Sequence, residues 1–185
     1  MSILEHSSFP RPASGDCAAY YFRYIDQVPE VDIVAYLEQQ ESTFGAFIQG
    51  LTPEQLHYRY EPGKWSLAEM IGHLLDSERV FSYRMMCISR GEQKSLPGFE
   101  QNDYVEGSVF DTVSGEALAA EWYAVRSSSI HLCKHMNAEM ASRRGLANDT
   151  PVVASSIPWI LAGHVNHHVQ VARERYLHDT SLLEK

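Results

Sequence analysis

Nine histidines stand in this 185-residue chain, and three of them fall within Gly163-His164-Val165-Asn166-His167-His168. A neutral imidazole is the commonest protein ligand for divalent metals and titrates close to physiological pH, so clustered histidines are where chemistry is sought first. His164 and His168 are four residues apart. On a helix they project from one side, one turn from each other. At about 100° per residue they diverge by roughly 40°. Ile157, Ile160 and Val171 share that sector, which turns both rings toward a helical interior, while His167 lies about 60° to one side of His164, at the rim.

Two inward imidazoles so spaced can bind one ion through their ring nitrogens, and a stable site wants a third ligand from elsewhere. His73, inside Gly72-His73-Leu74-Leu75-Asp76-Ser77-Glu78, is available from a second helix. It projects roughly 100° from the Met70, Leu74, Phe81 stripe, on a flank that can face a neighbouring helix. Glu78 lies nearer the centre of that stripe, where a carboxylate needs a partner. Arg79, Arg84 or a tyrosine hydroxyl would serve, or Glu78 handles protons beside a metal. Asp76, one turn from His73, either orients its imidazole or is an exposed helix carboxylate. His167 is a rim ligand, a base or a solvated side chain. His131 and His135, also four apart, project away from the Leu118, Val125, Met136 stripe and read as solvated. By spacing alone, ligation and simple packing both stay open for His73, His164 and His168.

Other chemistries lack their residues. No HEXXH, GxSxG, Walker loop or GxGxxG is present. Cys17, Cys87 and Cys133 are far apart, odd in number and without a CxxC pair, as expected of reduced thiols. Cys87 is 14 residues beyond His73, about 21 Å along a helix, too far to share an ion with it.

Four segments with apolar residues at helical spacing must position these groups, and no segment alternates like a strand. The spacing predicts helices over 31–50, 67–90, 115–137 and 157–178. Thr52/Gln55 and Ser66/Glu69 read as capping boxes, Ser114 as a cap, and Pro158 is tolerated near a first turn. The fold expected is all-α, a four-helix bundle with long inter-helix connections at 92–114 and 138–156 that cross or roof an end of the bundle. Residues 1–17 are expected to form a flexible N-terminal arm and 18–185 a single domain, with Tyr20, Tyr21, Phe22 and Tyr24 packed on the bundle.

Composition narrows the function classes. Acidic residues outnumber basic ones by 24 to 15, a formal charge of -9, which repels phosphate backbones and anionic lipid. No stretch approaches the roughly 20 apolar residues of a membrane span, and the N-terminus does not read as a signal peptide. A cytoplasmic protein without nucleic-acid or membrane partners is expected.

Together, PGKWSLAEMIGHLLDSERVF at 62–81 and GHVNHHVQVARERYL at 163–177 resemble the DinB-like (YfiT-like) metalloenzyme superfamily. AAYYFRYIDQVPEVDIVAYLEQQ and LPGFEQNDYV look like one subgroup of it. The resemblance implies a four-helix bundle holding a divalent metal ion through three histidines near one end, here His73, His164 and His168, with all three positions filled. Trp65 and Ser66 match the start of the second helix, as anchor and cap. The family includes homodimers and thiol-dependent transferases and isomerases. Zinc or nickel suits three imidazoles first, and iron also. A metal-activated water hydrolysing a small molecule is the leading expectation. Activation of a low-molecular-weight thiol for S-transfer is the alternative, and a non-catalytic bundle stapled by its metal is the reading of another class.

Overall fold

The computed structural model describes residues 9–177. A 3-10 turn, Ala19–Tyr21, leads into the short helix α1 (Phe22–Ile25). Asp32 then caps α2 (Ile33–Gln49) by accepting from the amides of Val34 and Ala35, which satisfies donors that a helix start leaves without partners. Thr52 and Gln55 close the expected capping box on α3 (Pro53–His57). Ser66 and Glu69 do the same on α4 (Leu67–Ser89). After α5 (Gln101–Glu106) and a 3-10 turn at Phe110–Thr112, Ser114 caps α6 (Gly115–Lys134). Asn137 caps α7 (Ala138–Ser142). The strands β1 (Arg144–Ala147) and β2 (Thr150–Val153) follow, then α8 (Ser156–Val171), continued by a π-helical turn over Ala172–Tyr176.

The four long helices are α2, α4, α6 and α8, and their principal contacts run α2–α6, α6–α4, α4–α8 and α8–α2. Consecutive long helices α2 and α4 therefore sit diagonally, as do α6 and α8. That arrangement requires crossing connections rather than tight hairpins, and it makes α4 and α8 neighbours. Gly163 permits the close approach of α1 to α8: a Cβ there would lie 2.2 Å from the Tyr24 carbonyl oxygen.

Two apolar clusters occupy the interior. One contains Leu37, Met85, Ile130 and Ile160; the other contains Phe44, Leu74, Trp122 and Val165. Between them along the helices lies a buried polar layer of Gln40, Glu78 and Arg126. Arg126 donates to Glu78 Oε2 at 2.9 Å and to Gln40 Oε1 at 2.8 Å, and Gln40 donates to the Ala162 carbonyl and to Asn166 Oδ1. The layer ties α2, α4, α6 and α8 to one another through hydrogen bonds that only one helix register satisfies.

Two segments depart from expectation. The 138–156 connection contains an antiparallel hairpin, its Asn148 and Asp149 turn residues at φ 51° and 57°, the left-handed pair that a two-residue hairpin turn needs. Four-residue strands are too short to display alternation, and Pro151 weakens the strand signal further. Leu96 from the 92–114 connection bonds to this hairpin, donating to the Leu146 carbonyl and accepting from Asn148. Residues 1–8 of the expected N-terminal arm lie outside the described residues. From Phe9 the chain is docked: Phe9 is buried, its carbonyl accepts from the Trp159 indole, and Arg11 donates to the carbonyls of Ile25 and Val28.

Candidate metal centre

His73 lies on the N-terminal half of α4, where the helix is enclosed on nearly every side. Phe110 covers Gly72, the Trp65 ring stands 5.0 Å from the His73 ring, and α8 flanks it. The flank position read from the helical projection is therefore interior, and His73 is 3% exposed. His164 is 7% exposed and His168 is half-buried.

The adjacency of α4 and α8 brings these three rings together. His73 Nε2 lies 3.3 Å from His164 Nε2, and His168 Nε2 lies 3.1 Å from the same atom. One ligand nitrogen from each ring can be chosen so that all lie within 4.8 Å of one another. With metal–nitrogen distances of about 2.0–2.1 Å, nitrogens on adjacent corners of a tetrahedron stand about 3.3 Å apart, so the spacing fits one ion.

Electrostatics favour the ligating state. Burial lowers the His73 pKa to about 4. His168 falls to about 3, through burial first and the nearby His73, His167 and Arg23 second. His164 is held well below the ordinary value by burial and then by His168 and His73. All three rings are neutral at pH 7, with lone pairs available. Neutral nitrogens crowded against one another cannot all be satisfied by mutual hydrogen bonds, since each N–H serves one acceptor. A divalent cation satisfies all three.

The surrounding groups differ from several expectations. Ser77 Oγ, rather than Asp76, lies within reach of His73 Nδ1, at 3.5 Å. Asp76 instead accepts from Arg79 at 3.3 Å, because the intervening turn carries it to the outer flank of α4. Glu78 is buried as its stripe position implied, but its partner is Arg126, not Arg79, Arg84 or a tyrosine. Arg126 takes the inward place on α6 that an apolar residue was expected to hold, and Val125 is displaced to the flank. His167 sits at the rim, its ring 5.1 Å from that of His168 and its Nδ1 3.5 Å from Gln27 Nε2. His131 on α6 and His135, the residue that follows its last turn, are exposed.

Two cavities meet the cluster. One, of about 240 Å³, is lined by His73, His164, Ser77, Tyr24, Phe99 and Glu100 among others. The other, of about 470 Å³, is lined by His167 and His168 together with Trp65, Arg23, Lys64 and Arg175. The 92–114 connection contributes Phe99 and Glu100 to the first and Asn102 to the second. Phe110 packs on α4, and Tyr104 is exposed. Residues that sequence reasoning did not single out for the site are Tyr20, Tyr24, Arg23 and Ser77. The Tyr24 ring is 5.1 Å from that of His164, and its hydroxyl is 2.9 Å from that of Tyr20. The only signal for Tyr20, Arg23 and Tyr24 was the aromatic run that contains them, and Ser77 had none.

The model of the DinB superfamily matches residues 36–172, well over half of the chain. This chain belongs to the DinB superfamily. A protein of Oceanobacillus iheyensis named as a candidate metal-dependent hydrolase is 28% identical over 85 residues, which are 42% of this chain and 49% of that relative. The chain thus spans about half the length of the curated relative it matches. Among solved structures, YfiT from Bacillus subtilis superposes with a TM-score of 0.63 at 16% identity, covering 90% of this chain and 93% of its own. It is described as a candidate metal-dependent hydrolase with an unusual four-helix bundle topology. A mycothiol-dependent maleylpyruvate isomerase superposes with a TM-score of 0.63 at 14% identity, over 79% of this chain and 61% of that one. At these identities the superpositions establish the DinB-like, all-α bundle fold of this chain. Among the described residues, no helix is long and apolar enough to cross a membrane.

Proposed function

We propose that this DinB superfamily protein is a divalent-metal-dependent enzyme acting on a small molecule, with His73, His164 and His168 holding the ion. The observation that carries the reading is the convergence of three neutral imidazoles, two buried and one half-buried, from two helices, with His73 and His164 91 residues apart in sequence, at the junction of two cavities. When bound, a divalent ion acidifies a coordinated water or thiol toward neutrality and polarises an electrophile. The remaining work belongs to the protein. Ser77 contacts the outer nitrogen of His73 and orients the ring. Tyr24, Phe81 and Phe99 exclude bulk water from one approach, and Trp65 and Tyr60 line the other.

Cavities on two sides favour exchangeable ligand positions, which a purely structural staple does not keep. Zinc and nickel come first for an all-imidazole set, then iron. Hydrolysis by metal-activated water is the leading reaction, in keeping with the hydrolase names of the relatives. Thiol transfer is the second, supported by the shared fold of the mycothiol-dependent isomerase. Glu78 and Asp76 are engaged by Arg126 and Arg79, which leaves His167, at the mouth of the larger cavity, as the proton-handling group of the three first considered.

Elemental analysis of untagged protein tests the metal, wild type beside His73→Ala. About one divalent ion per chain, lost in the variant, supports the site. Absence of metal after incubation with zinc, nickel or iron overturns it. Hydrolase substrates assayed with and without added low-molecular-weight thiols then separate the two reactions.

A further inference from the structure

The chain carries a formal charge of -9, yet the larger cavity beside His168 has the opposite character. Arg23 from α1, Lys64 from the turn before α4 and Arg175 from the turn after α8 all line it, and none of its lining residues is acidic. No ion pair engages any of the three among the described residues. Arg23 lies over the rings of Tyr20 and Tyr24, and Arg175 over that of Tyr60. These cation–π contacts hold the two guanidinium groups at the cleft without neutralising their charge. Glu174, the carboxylate nearest in sequence to Arg175, accepts from Gln170 at 2.7 Å and does not line the cleft. Arg59, Arg79, Arg126 and Arg144 each meet a carboxylate, whereas Arg84 and Arg90, away from the cleft, bond to the Pro97 carbonyl and Ser89 Oγ.

Three unneutralised cations from three separate chain segments around one cleft, on an otherwise acidic molecule, focus a positive potential there. The same cleft presents Trp65, Tyr60 and Tyr176, a wall suited to a flat or apolar body. Its volume of about 470 Å³ falls within the ordinary range for small-molecule sites.

We infer that the cleft lined by Arg23, Lys64 and Arg175 binds the carboxylate end of a small-molecule substrate or cosubstrate, whose apolar body lies along Trp65 and Tyr60 with its reacting end toward His168. This assignment of ligand class rests on the reading of the histidine cluster as the reacting centre. Arg23 and Arg175 match a carboxylate through paired N–H donors, and Lys64 adds a mobile point charge.

The test uses benzoate and its neutral isostere benzamide as probes, titrated into zinc-loaded and metal-free protein. Binding is followed by the NMR signal of the Trp65 indole N–H, assigned with Trp65→Phe. Benzoate is expected to shift that signal in both forms, at least ten-fold more tightly than benzamide, and to weaken as salt is raised. The triple variant Arg23→Gln/Lys64→Gln/Arg175→Gln, all exposed positions, should keep its helix content and metal and lose benzoate at least ten-fold. Equal binding of the two probes, no shift with either, or an unchanged triple variant overturns the inference. Benzoate binding that requires zinc and ignores the three cations also overturns it, while leaving the metal site intact. Retention of benzoate by a protein that binds no metal would preserve the anion cleft and remove the proposed metal centre.

Discussion

Arg126 and Glu78 meet across 2.9 Å with side-chain exposures of 0% and 2%, from helices 48 residues apart in sequence. Removing one member of such a pair strands the other charge in the core. Arg126→Ala is therefore expected to lower stability by about 3–5 kcal/mol, read as a reduced urea midpoint, and to lose more than Glu78→Gln, which keeps a hydrogen-bonding side chain. Metal content should survive Glu78→Gln, because the pair ties α4 to α6 rather than to the histidines. Loss of metal in that variant would assign Glu78 to the site.

Truncation of a ligand should separate site from scaffold. His168→Ala is expected to lose the metal with little change in helical circular dichroism, since the apolar clusters and the polar layer hold the bundle without it. Unfolding on that change would favour a structural staple. His131→Ala/His135→Ala, at exposed positions on and just after the last turn of α6, should leave metal content unchanged.

Acid should destabilise the metal-free protein through the same histidines. The His73 pKa is about 4 in the folded chain against 6.5 for the unperturbed group, so below pH 6.5 the unfolded chain takes up the proton first. Stability from this group is fully present above pH 6.5 and is lost as pH falls through 4, an effect of about 3 kcal/mol when complete. Urea midpoints measured from pH 8 to 4 should stay nearly level at first and then drop. The drop should be shallower in His73→Gln.

Gly163 supplies a backbone test. A methyl at this position would meet the Tyr24 carbonyl carbon and oxygen at 2.4 and 2.2 Å and the Ile25 amide at 3.0 Å, all backbone atoms that cannot rotate aside. Gly163→Ala is expected to cost about 1–3 kcal/mol through overpacking. The displaced α1 would carry Tyr24 away from His164, so the loss should be accompanied by altered Tyr24 side-chain NMR shifts. A neutral effect on both would show that α1 is free to move.

The hairpin turn offers an improvement. Asp149 holds φ at 57°, a conformation that glycine adopts without a Cβ penalty. Asp149→Gly is expected to raise the thermal midpoint by an amount corresponding to no more than about 1 kcal/mol. The amide that bonds Ser95 Oγ is retained.

Much of this protein was legible in one dimension because its determinants are local. Helical periodicity, the Thr52/Gln55 and Ser66/Glu69 capping boxes and the Ser114 cap act within a few residues, and all appear in the structure with helix limits close to those read from spacing. The i, i+4 relation of His164 and His168, and the outward projection of His131 and His135, follow from the pitch of a single helix. What joins separate helices did not follow. Whether His73 faces α8 or solvent depends on α4 packing beside α8 while α2 lies diagonally across from α4, a choice made by the whole bundle. The partner of Glu78 was hidden for the same reason: an arginine amid an apolar stripe reads as outward until a buried carboxylate on another helix offsets its desolvation. Residue types and short-range spacing thus determined the elements and the candidate ligands, because local backbone sterics and hydrogen bonding act along the chain. Only the tertiary structure decided the convergence of three Nε2 atoms, the Arg126–Glu78 pair and the cationic cleft, because those energies depend on distances between segments that only packing brings together.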